Sequence, residues 1–355
     1  MSQLTTLPVP THFDPARANE VYRVAYQVLA EQAAAWRQQH DIRPAASDRK
    51  VITLMPIDAQ NTFCLPEFEL FVGGQSGTGA IDDNVRLAEF IYRNLGVLTK
   101  ITPTMDTHLL MQIFHSIFWV NEAGENPAPN VTIITFDDVK AGTWKVNPAI
   151  AHSIAKGNYS ALQAHALHYV EKLTAGGKYP LMVWGYHGML GGIGHALASI
   201  IEEACFFHAV VRHSQTDFQI KGGDPLTENY SVLSPEVLTT AGDKVRTQKN
   251  AMFIRTLLES DAVVIAGQAK SHCVAWTIAD LLDEINAQDP TLAKKVYLLE
   301  DCTSPVVVRD PGGNIIPGLD FTEPANEAFQ RFADAGMHVV KSTDPIDTWP
   351  GLNLG

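Results

Sequence analysis

The sequence predicts an α/β protein, a three-layer α/β/α arrangement around a mostly parallel, doubly wound sheet. Two observations carry this. Continuous apolar runs recur along the chain: VITLMPI (51–57), VLTKIT (97–102), PLMVWGY (180–186), DAVVIAG (261–267), KVYLLE (295–300) and MHVVKS (337–342). Amphipathic helical patterns lie between them, near 82–95, 190–204, 245–259, 273–287 and 322–335. Strands that are apolar on both faces and separated by helices belong to a parallel sheet covered on both sides.

Ahead of the first run, residues 14–39 read as one helix. Asp14 suits the N-cap, Pro15 suits the first turn, and Val21, Ala25, Val28, Leu29 and Trp36 recur at helical spacing. This predicts a helical extension over 1–47 and a main domain over 48–355, with no internal repeat. VTIITF (131–136) reads as a further strand. A helical pattern over about 150–173 carries His152, His165 and His168, read as solvated or packed side chains rather than ligands.

The composition narrows the function classes. The 355 residues are 46% hydrophobic and 18% charged, an ordinary globular balance. A net charge of −13 argues against nucleic acid or anionic membrane as a partner and favours a small-molecule ligand. The opening MSQLTTLPVPTHFDPAR lacks the pattern of a secretory signal, and no apolar run reaches the roughly 18 residues of a membrane span. The 4 cysteines, Cys64, Cys205, Cys273 and Cys302, are far apart with no CxxC, as suits reduced thiols. The expectation is a cytoplasmic protein.

In a parallel sheet, ligands bind beyond the carboxyl ends of the strands, and polar residues follow the apolar runs here. After VITLMPI come Asp58, Gln60 and Asn61; after VLTKIT come Asp106, His108, His115 and Ser116. PLMVWGY leads to His187, HAVVRHSQTDFQI to Lys221, and DAVVIAG to Gln268, Ala269, Lys270, Ser271, His272 and Cys273. Past Cys273, Val274, Ile278, Leu281 and Ile285 repeat at core spacing, so the cysteine opens a buried helix. There, unpaired N–H groups and the helix dipole favour a thiolate. The alternative is a small buried hydrophobe. Asp58 ends a buried strand, either capping a loop or serving as an acid/base. Lys221 is either a solvated loop lysine or a cation beside the thiol. A carboxylate, an ammonium and a thiol together suit nucleophilic catalysis.

Asp106 and His108, two residues apart in extended chain, share a face. With His187 they would form an O,N,N set with open positions for water or substrate. With 13 histidines in the chain, coincidence is the alternative. His115 is either a further ligand or a residue on the apolar face of a helix with Ile113 and Phe118.

Taken together, these segments resemble the isochorismatase-like cysteine hydrolases, and among them the nicotinamidases, over approximately 50–116 and 180–345. PIDAQNTF is similar to the family's first-strand motif, which implies acid/base catalysis by Asp58 and a pocket aromatic at Phe63. MDTH resembles the metal-binding Asp-x-His motif, implying Asp106 and His108. His115-Ser116 resembles the next histidine, though the intervening LLMQIF lacks the usual proline. Trp184-Gly-Tyr-His187, followed by Gly191 and Gly194, resembles a substrate-packing tryptophan and a metal histidine. Lys221-Gly with Tyr230-Ser231 resembles the catalytic lysine segment and a pocket tyrosine. GQAKSHCVAWTIADL resembles the nucleophile segment, implying Cys273 as nucleophile, an oxyanion hole from the amides of Ala269 and Cys273, and a cis Gln268–Ala269 bond.

The resemblance implies a Cys–Lys–Asp amidohydrolase with a thioester intermediate, a divalent metal (Zn, Mn or Fe) and no organic cofactor. Its substrate would be a small amide such as nicotinamide, and a homo-oligomer is expected. Two departures bear on the substrate. Gln268 stands where nicotinamidases commonly carry an apolar residue, which favours a more polar ligand, and 117–179 is a long insertion. The rivals are a hydrolase of ureido, carbamoyl or other small amides, a non-catalytic binding protein on the same fold, and a metallohydrolase without covalent chemistry.

Overall fold

A computed structural model describes residues 6–176, 179–310 and 312–354. The chain divides into two compact units: Met1–Met105 with Ala196–Gln219 and Met252–Gly355, and Asp106–His195 with Ile220–Ala251.

The first unit holds the expected parallel sheet. Its strands are β1 (Ile52–Ile57), β2 (Lys100–Ile101), β3 (Ala262–Gly267), β4 (Val296–Leu299) and β5 (His338–Val340). They lie in the order β5-β4-β3-β1-β2, and every pairing is parallel. All six residues of β1 and of β3 are buried, as the apolar runs require. The helices are α1 (Tyr26–Gln39), α2 (Gly79–Arg93), α3 (Ser199–Arg212), α4 (Ala251–Glu259), α5 (Ala275–Gln288) and α6 (Thr322–Asp334).

Alternate strand residues serve opposite faces. Leu54 and Val264 share a core with Leu29 and Ala33 of α1, Leu87 and Ile91 of α2, and Ile201 and Phe207 of α3. Val263 and Val296 meet Leu257 of α4 and Leu281 and Ile285 of α5 on the other side. Both faces are therefore covered, giving the three layers. Among the described residues no helix is long and apolar enough to cross a membrane.

Several elements differ from the sequence reading. The helix expected over 14–39 begins at Tyr26. Asp14 caps only a short turn, Pro15–Arg17, and the Ser199 hydroxyl takes both the N–H and the C=O of Tyr22, at 2.9 Å each. With those groups satisfied outside a helix, 18–25 has no reason to coil. α1 packs Leu29 and Ala33 into the first unit's core. The helix expected over 190–204 begins at Ser199, because Gly191, Gly192 and Gly194 precede it and 196–198 is bonded to 59–61 (Asn61 N to Ala196 O 2.9 Å, Ala198 N to Ala59 O 2.8 Å). PLMVWGY does not join the parallel sheet. Leu181–Met182 pairs antiparallel with Ile133–Ile134 in the second unit.

The second unit is built around the helix Tyr159–Gly176, whose Leu162, Ala166, Tyr169, Val170 and Leu173 pack with Phe114, Phe118, Trp119, Leu181 and Val183. The single helix expected over 150–173 is two, broken where Lys156 and Gly157 take left-handed φ of 50° and 84°. His165 and His168 are packing residues, as expected. His165 contacts Leu226 O at 2.8 Å and Thr240 Oγ1 at 3.1 Å, and His168 contacts Thr239 Oγ1 at 2.9 Å. The expected insertion over 117–179 is thus part of a larger unit that also contains 106–116, 180–195 and 220–251.

One glycine fixes how closely β1 and β3 approach. Gly267 ends β3 with φ +107°, and a Cβ there would lie 2.5 Å from Ile57 N and closer still to its carbonyl oxygen. Gly267→Ala is expected to destabilise the fold by at least about 2 kcal/mol, read as a lower urea midpoint at unchanged m-value.

Candidate functional site

In the first unit the chain leaves β1, forms β2 on one side, and later returns to build β3 on the other. The point between β1 and β3 is therefore the topological switch, where open α/β sheets bind ligands. Asp58 follows β1 and Gln268 follows β3, with Ile57 and Gly267 in register.

Asp58 is fully buried with φ 45°, a left-handed conformation that aspartate tolerates better than most residues. Its N–H donates to Thr104 Oγ1 at 3.0 Å, and the Thr104 hydroxyl donates to Asp58 Oδ1 at 2.5 Å. Gln268 N–H donates to Ile57 O at 2.7 Å, and the Gln268–Ala269 peptide is cis, as the resemblance implied. Ala269 O then accepts from His272 N at 2.9 Å and Val274 N at 3.2 Å, closing the wide turn Lys270–Val274 that leads into α5. Cys273 sits in this turn at the start of α5 and is 8% exposed.

The other thiols are unsuited to attack. Burial pushes Cys64 and Cys205 up to about 12 and Cys302 well above the ordinary range. The neighbours of Cys273 pack against protein. Lys270 Nζ donates to Asn326 Oδ1 at 2.9 Å and lies 4.5 Å from the Phe329 ring centre. His272 lies edge-on to Phe321 at 4.9 Å, and burial lowers its pKa to about 3. Phe63 is buried in the short helix Asn61–Cys64.

Gln268 does not have a spare amide. Its Nε2 donates to Asp83 Oδ2 at 2.8 Å and its Oε1 accepts from Ser304 N at 3.3 Å.

The second unit gathers Asp106, His108 and His187, all buried, with ligand atoms within 4.8 Å of one another. Backbone bonds run the two segments side by side: His108 N to Gly188 O at 2.9 Å and Leu190 N to His108 O at 3.0 Å. Asp106 Oδ2 lies 2.8 Å from His108 Nε2 and 3.4 Å from His187 Nε2. Lys221 Nζ donates to Asp106 Oδ1 and to Asn229 O, each at 2.8 Å. Burial alone would raise the Asp106 carboxyl. His108 and Lys221 beside it, with hydrogen bonds from His108 and His187, hold it well below the usual carboxylate range.

The donors fit a divalent cation. One carboxylate and two imidazoles suit zinc, manganese or iron. His187 Nδ1 is fixed on Gly185 O at 2.8 Å, which turns Nε2 to the cluster. Gln112 Nε2 donates to Gly222 O at 2.6 Å and lies 3.1 Å from His108 Nδ1, which leaves the His108 proton on Nε2. A cation held at Nε2 would require that proton on Nδ1. Gln112 Oε1, buried without a hydrogen-bond partner among the described residues, is the acceptor an amide turn would supply.

His115 lies outside this three-residue cluster, its ring 6.0 Å from both His108 and His187 between centres. It is not on a helix face. It precedes the short turn Ser116–Phe118 and bridges to Trp184. Its Nδ1 contacts Leu110 O at 3.1 Å, its buried Nε2 has no hydrogen-bond partner among the described residues, and burial lowers its pKa to about 3. It is thus a neutral donor adjacent to the set. Trp184 Nε1 donates to Tyr230 OH at 3.3 Å, and Tyr179 meets Tyr230 edge-on at 6.1 Å.

Sequence reasoning missed four supporting residues. Thr104 holds Asp58, and Gln112 braces His108. Glu228 is a buried carboxyl pushed up to about 8 by burial and then by Asp106. Asp83 lies on the apolar face of α2 with Leu87 and Ile91, where an acidic residue at core spacing was the available signal. Gly222, φ +86°, is pressed against the ring of His108: a Cβ would lie 2.7 Å from Cε1 and 2.9 Å from Nδ1. Gly222→Ala is expected to displace His108 and lower bound metal about tenfold or more at limiting metal, by elemental analysis.

No protein-family model matches the chain, and no curated protein matches it in sequence. Among solved structures it is similar to the Acinetobacter baumannii nicotinamidase/pyrazinamidase, at 17% identity and TM-score 0.47, over 83% of this chain and 98% of that one. It is also similar to the yeast nicotinamidase bound to the inhibitor nicotinaldehyde, at 18% identity and TM-score 0.49, over 82% of this chain and 100% of that one. The Pyrococcus horikoshii pyrazinamidase in complex with zinc matches at 16% identity and TM-score 0.40, over 82% of this chain and 98% of that one.

Proposed function

We propose that the chain is a cysteine-nucleophile amidohydrolase that releases ammonia from a small aromatic amide such as nicotinamide, giving nicotinic acid. The observation that carries this reading is the pair of adjacent strand ends at the switch point. One presents the buried carboxylate of Asp58; the other presents the turn that holds Ala269 and Cys273. The order and spacing of the sequence motifs support the same assignment.

In this mechanism Asp58 takes the thiol proton of Cys273, and the motif resemblance assigns the role of catalytic cation to Lys221. Sulfur attacks the amide carbon, and the N–H groups of Ala269 and Cys273 receive the charge that develops on oxygen, usually a large term. Asp58 gives its proton to the nitrogen, the C–N bond breaks and ammonia leaves. Water, losing a proton to Asp58, adds to the thioester; the acid departs and the thiol is restored. The motif resemblance assigns ring-binding roles to Phe63, Trp184 and Tyr230. A divalent metal held by Asp106, His108 and His187, with His115 adjacent, would bind a ring nitrogen or a water.

Gln268 had pointed toward a more polar substrate. Its amide is engaged by Asp83 and Ser304, so that argument for a ureido or carbamoyl substrate loses its basis. Ammonia release from nicotinamide, assayed beside ureido and carbamoyl compounds, tests the reading. Turnover of the latter with none of nicotinamide would transfer the assignment to the rival.

A further inference from the structure

This inference rests on the amidohydrolase reading and concerns what holds its oxyanion hole. Ala269 follows Gln268 in the turn after β3, and the residues on both sides of it are tied down. Lys270 N–H donates to Ser304 O at 2.8 Å, and Val306 N–H donates to Ser271 Oγ at 3.0 Å. The Gln268 side chain, fully buried, is gripped at both amide atoms, by Asp83 and by Ser304 N.

Asp83 is itself anchored. It is 2% exposed, one turn before Leu87 on the core face of α2. Its Oδ1 accepts from Arg86 Nη2 at 2.9 Å, and Arg86 Nε also donates to Asp301 O. Ser304 is seated against the start of the same helix, where a Cβ on Gly79 would lie 2.5 Å from Ser304 Oγ. The result is a connected set, Arg86–Asp83–Gln268–Ser304, joining α2 and the 301–306 segment to the two sides of Ala269. Hydrogen bonds to a charged group are the stronger kind. Burial pushes the Asp83 carboxyl up, opposed by hydrogen bonds from Gln268, Ser304 and Arg86. A buried polar network satisfied in this way rigidifies its surroundings.

We propose that Gln268 and Asp83 are positioning residues that fix the Ala269 amide where the oxyanion forms, without touching substrate. A donor aimed at the transition state acts only if it is already in place, so loosening it costs rate and leaves ground-state binding alone.

The test uses Gln268→Val and Asp83→Asn with nicotinamide as substrate and its aldehyde analogue as a mimic of the tetrahedral adduct. For both variants kcat is expected to fall about ten- to a hundredfold with KM within about twofold. Affinity for the aldehyde should fall by the same factor as kcat. The pH profile of Cys273 alkylation by iodoacetamide should match wild type, because the nucleophile is intact. A raised KM at wild-type kcat would overturn the proposal by placing Gln268 on the substrate. Loss of alkylation in step with kcat and thermal midpoint would overturn it in favour of a general folding role. Asp83→Asn, which preserves volume, guards against a Gln268→Val variant that fails to fold. An active wild type and an inactive Cys273→Ala variant, with both positioning variants at full kcat, would sink this inference alone. An inactive wild type, or an active Cys273→Ala variant, would sink the underlying reading.

Discussion

Cys273→Ala is expected to reduce ammonia release from nicotinamide by about a thousandfold or more, with metal content and thermal unfolding close to wild type. The substitution removes one sulfur from a residue that is 8% exposed and leaves the backbone N–H at 273 in place. Alanine also suits a helix start, so the cost to stability should stay within about 1–2 kcal/mol. The loss therefore isolates the covalent step. None of the other cysteines can substitute, because burial keeps Cys64, Cys205 and Cys302 protonated. A metallohydrolase that activates water directly would not need the thiol. Retention of more than about a tenth of the rate by Cys273→Ala, with metal bound, would establish that rival and remove the roles assigned to Ala269 and the thioester.

The parallel sheet was legible because its strands are buried on both faces. β3 and β4 are unbroken apolar runs and β1 is interrupted only by the buried Thr53, and runs of that kind have few other uses. PLMVWGY shows the limit of the same signal. It is equally apolar, yet its burial is against Phe114 and Tyr169 in the second unit, and hydropathy does not say which core a run enters. The donor set was legible for a different reason. Asp106 and His108 are neighbours in sequence, and the motif that carries His187 is visible on its own, its 188–190 segment pairing with His108 in the fold. The supports were not legible. Gln268 reaches Asp83 across 185 residues, and Lys221 reaches Asp106 across 115. Spacing along the chain carries no record of such contacts. The same distance explains why Gln268 read as a pocket residue: its position beside the nucleophile was visible, and the carboxylate that occupies its amide was not.

Asp106→Asn is expected to abolish high-affinity metal binding and to destabilise the metal-free protein by about 3–5 kcal/mol, the cost of breaking a buried ion pair. Asp106 offers one oxygen to Lys221 and the other to the two imidazoles, so neutralising it affects both. The Lys221 side chain is 1% exposed, so its ammonium would keep Asn229 O but lose the adjacent negative charge, with little water to replace it. The pH dependence separates this from simple loss of packing. The folded-state pKa of Asp106 lies below its unfolded value of about 3.9. Its contribution is therefore full above about pH 4 and is lost as pH falls through the lower, folded-state pKa. In chelated samples the stability gap between wild type and Asp106→Asn should be constant near neutrality and close only in acid. Adding Lys221→Met to Asp106→Asn should recover part of the loss, since removing both charges avoids stranding one, and the double-mutant cycle gives their coupling directly. A gap that persists unchanged to pH 2, or an Asp106→Asn protein that still binds metal at wild-type affinity, would refute the charge-pair and ligand roles respectively.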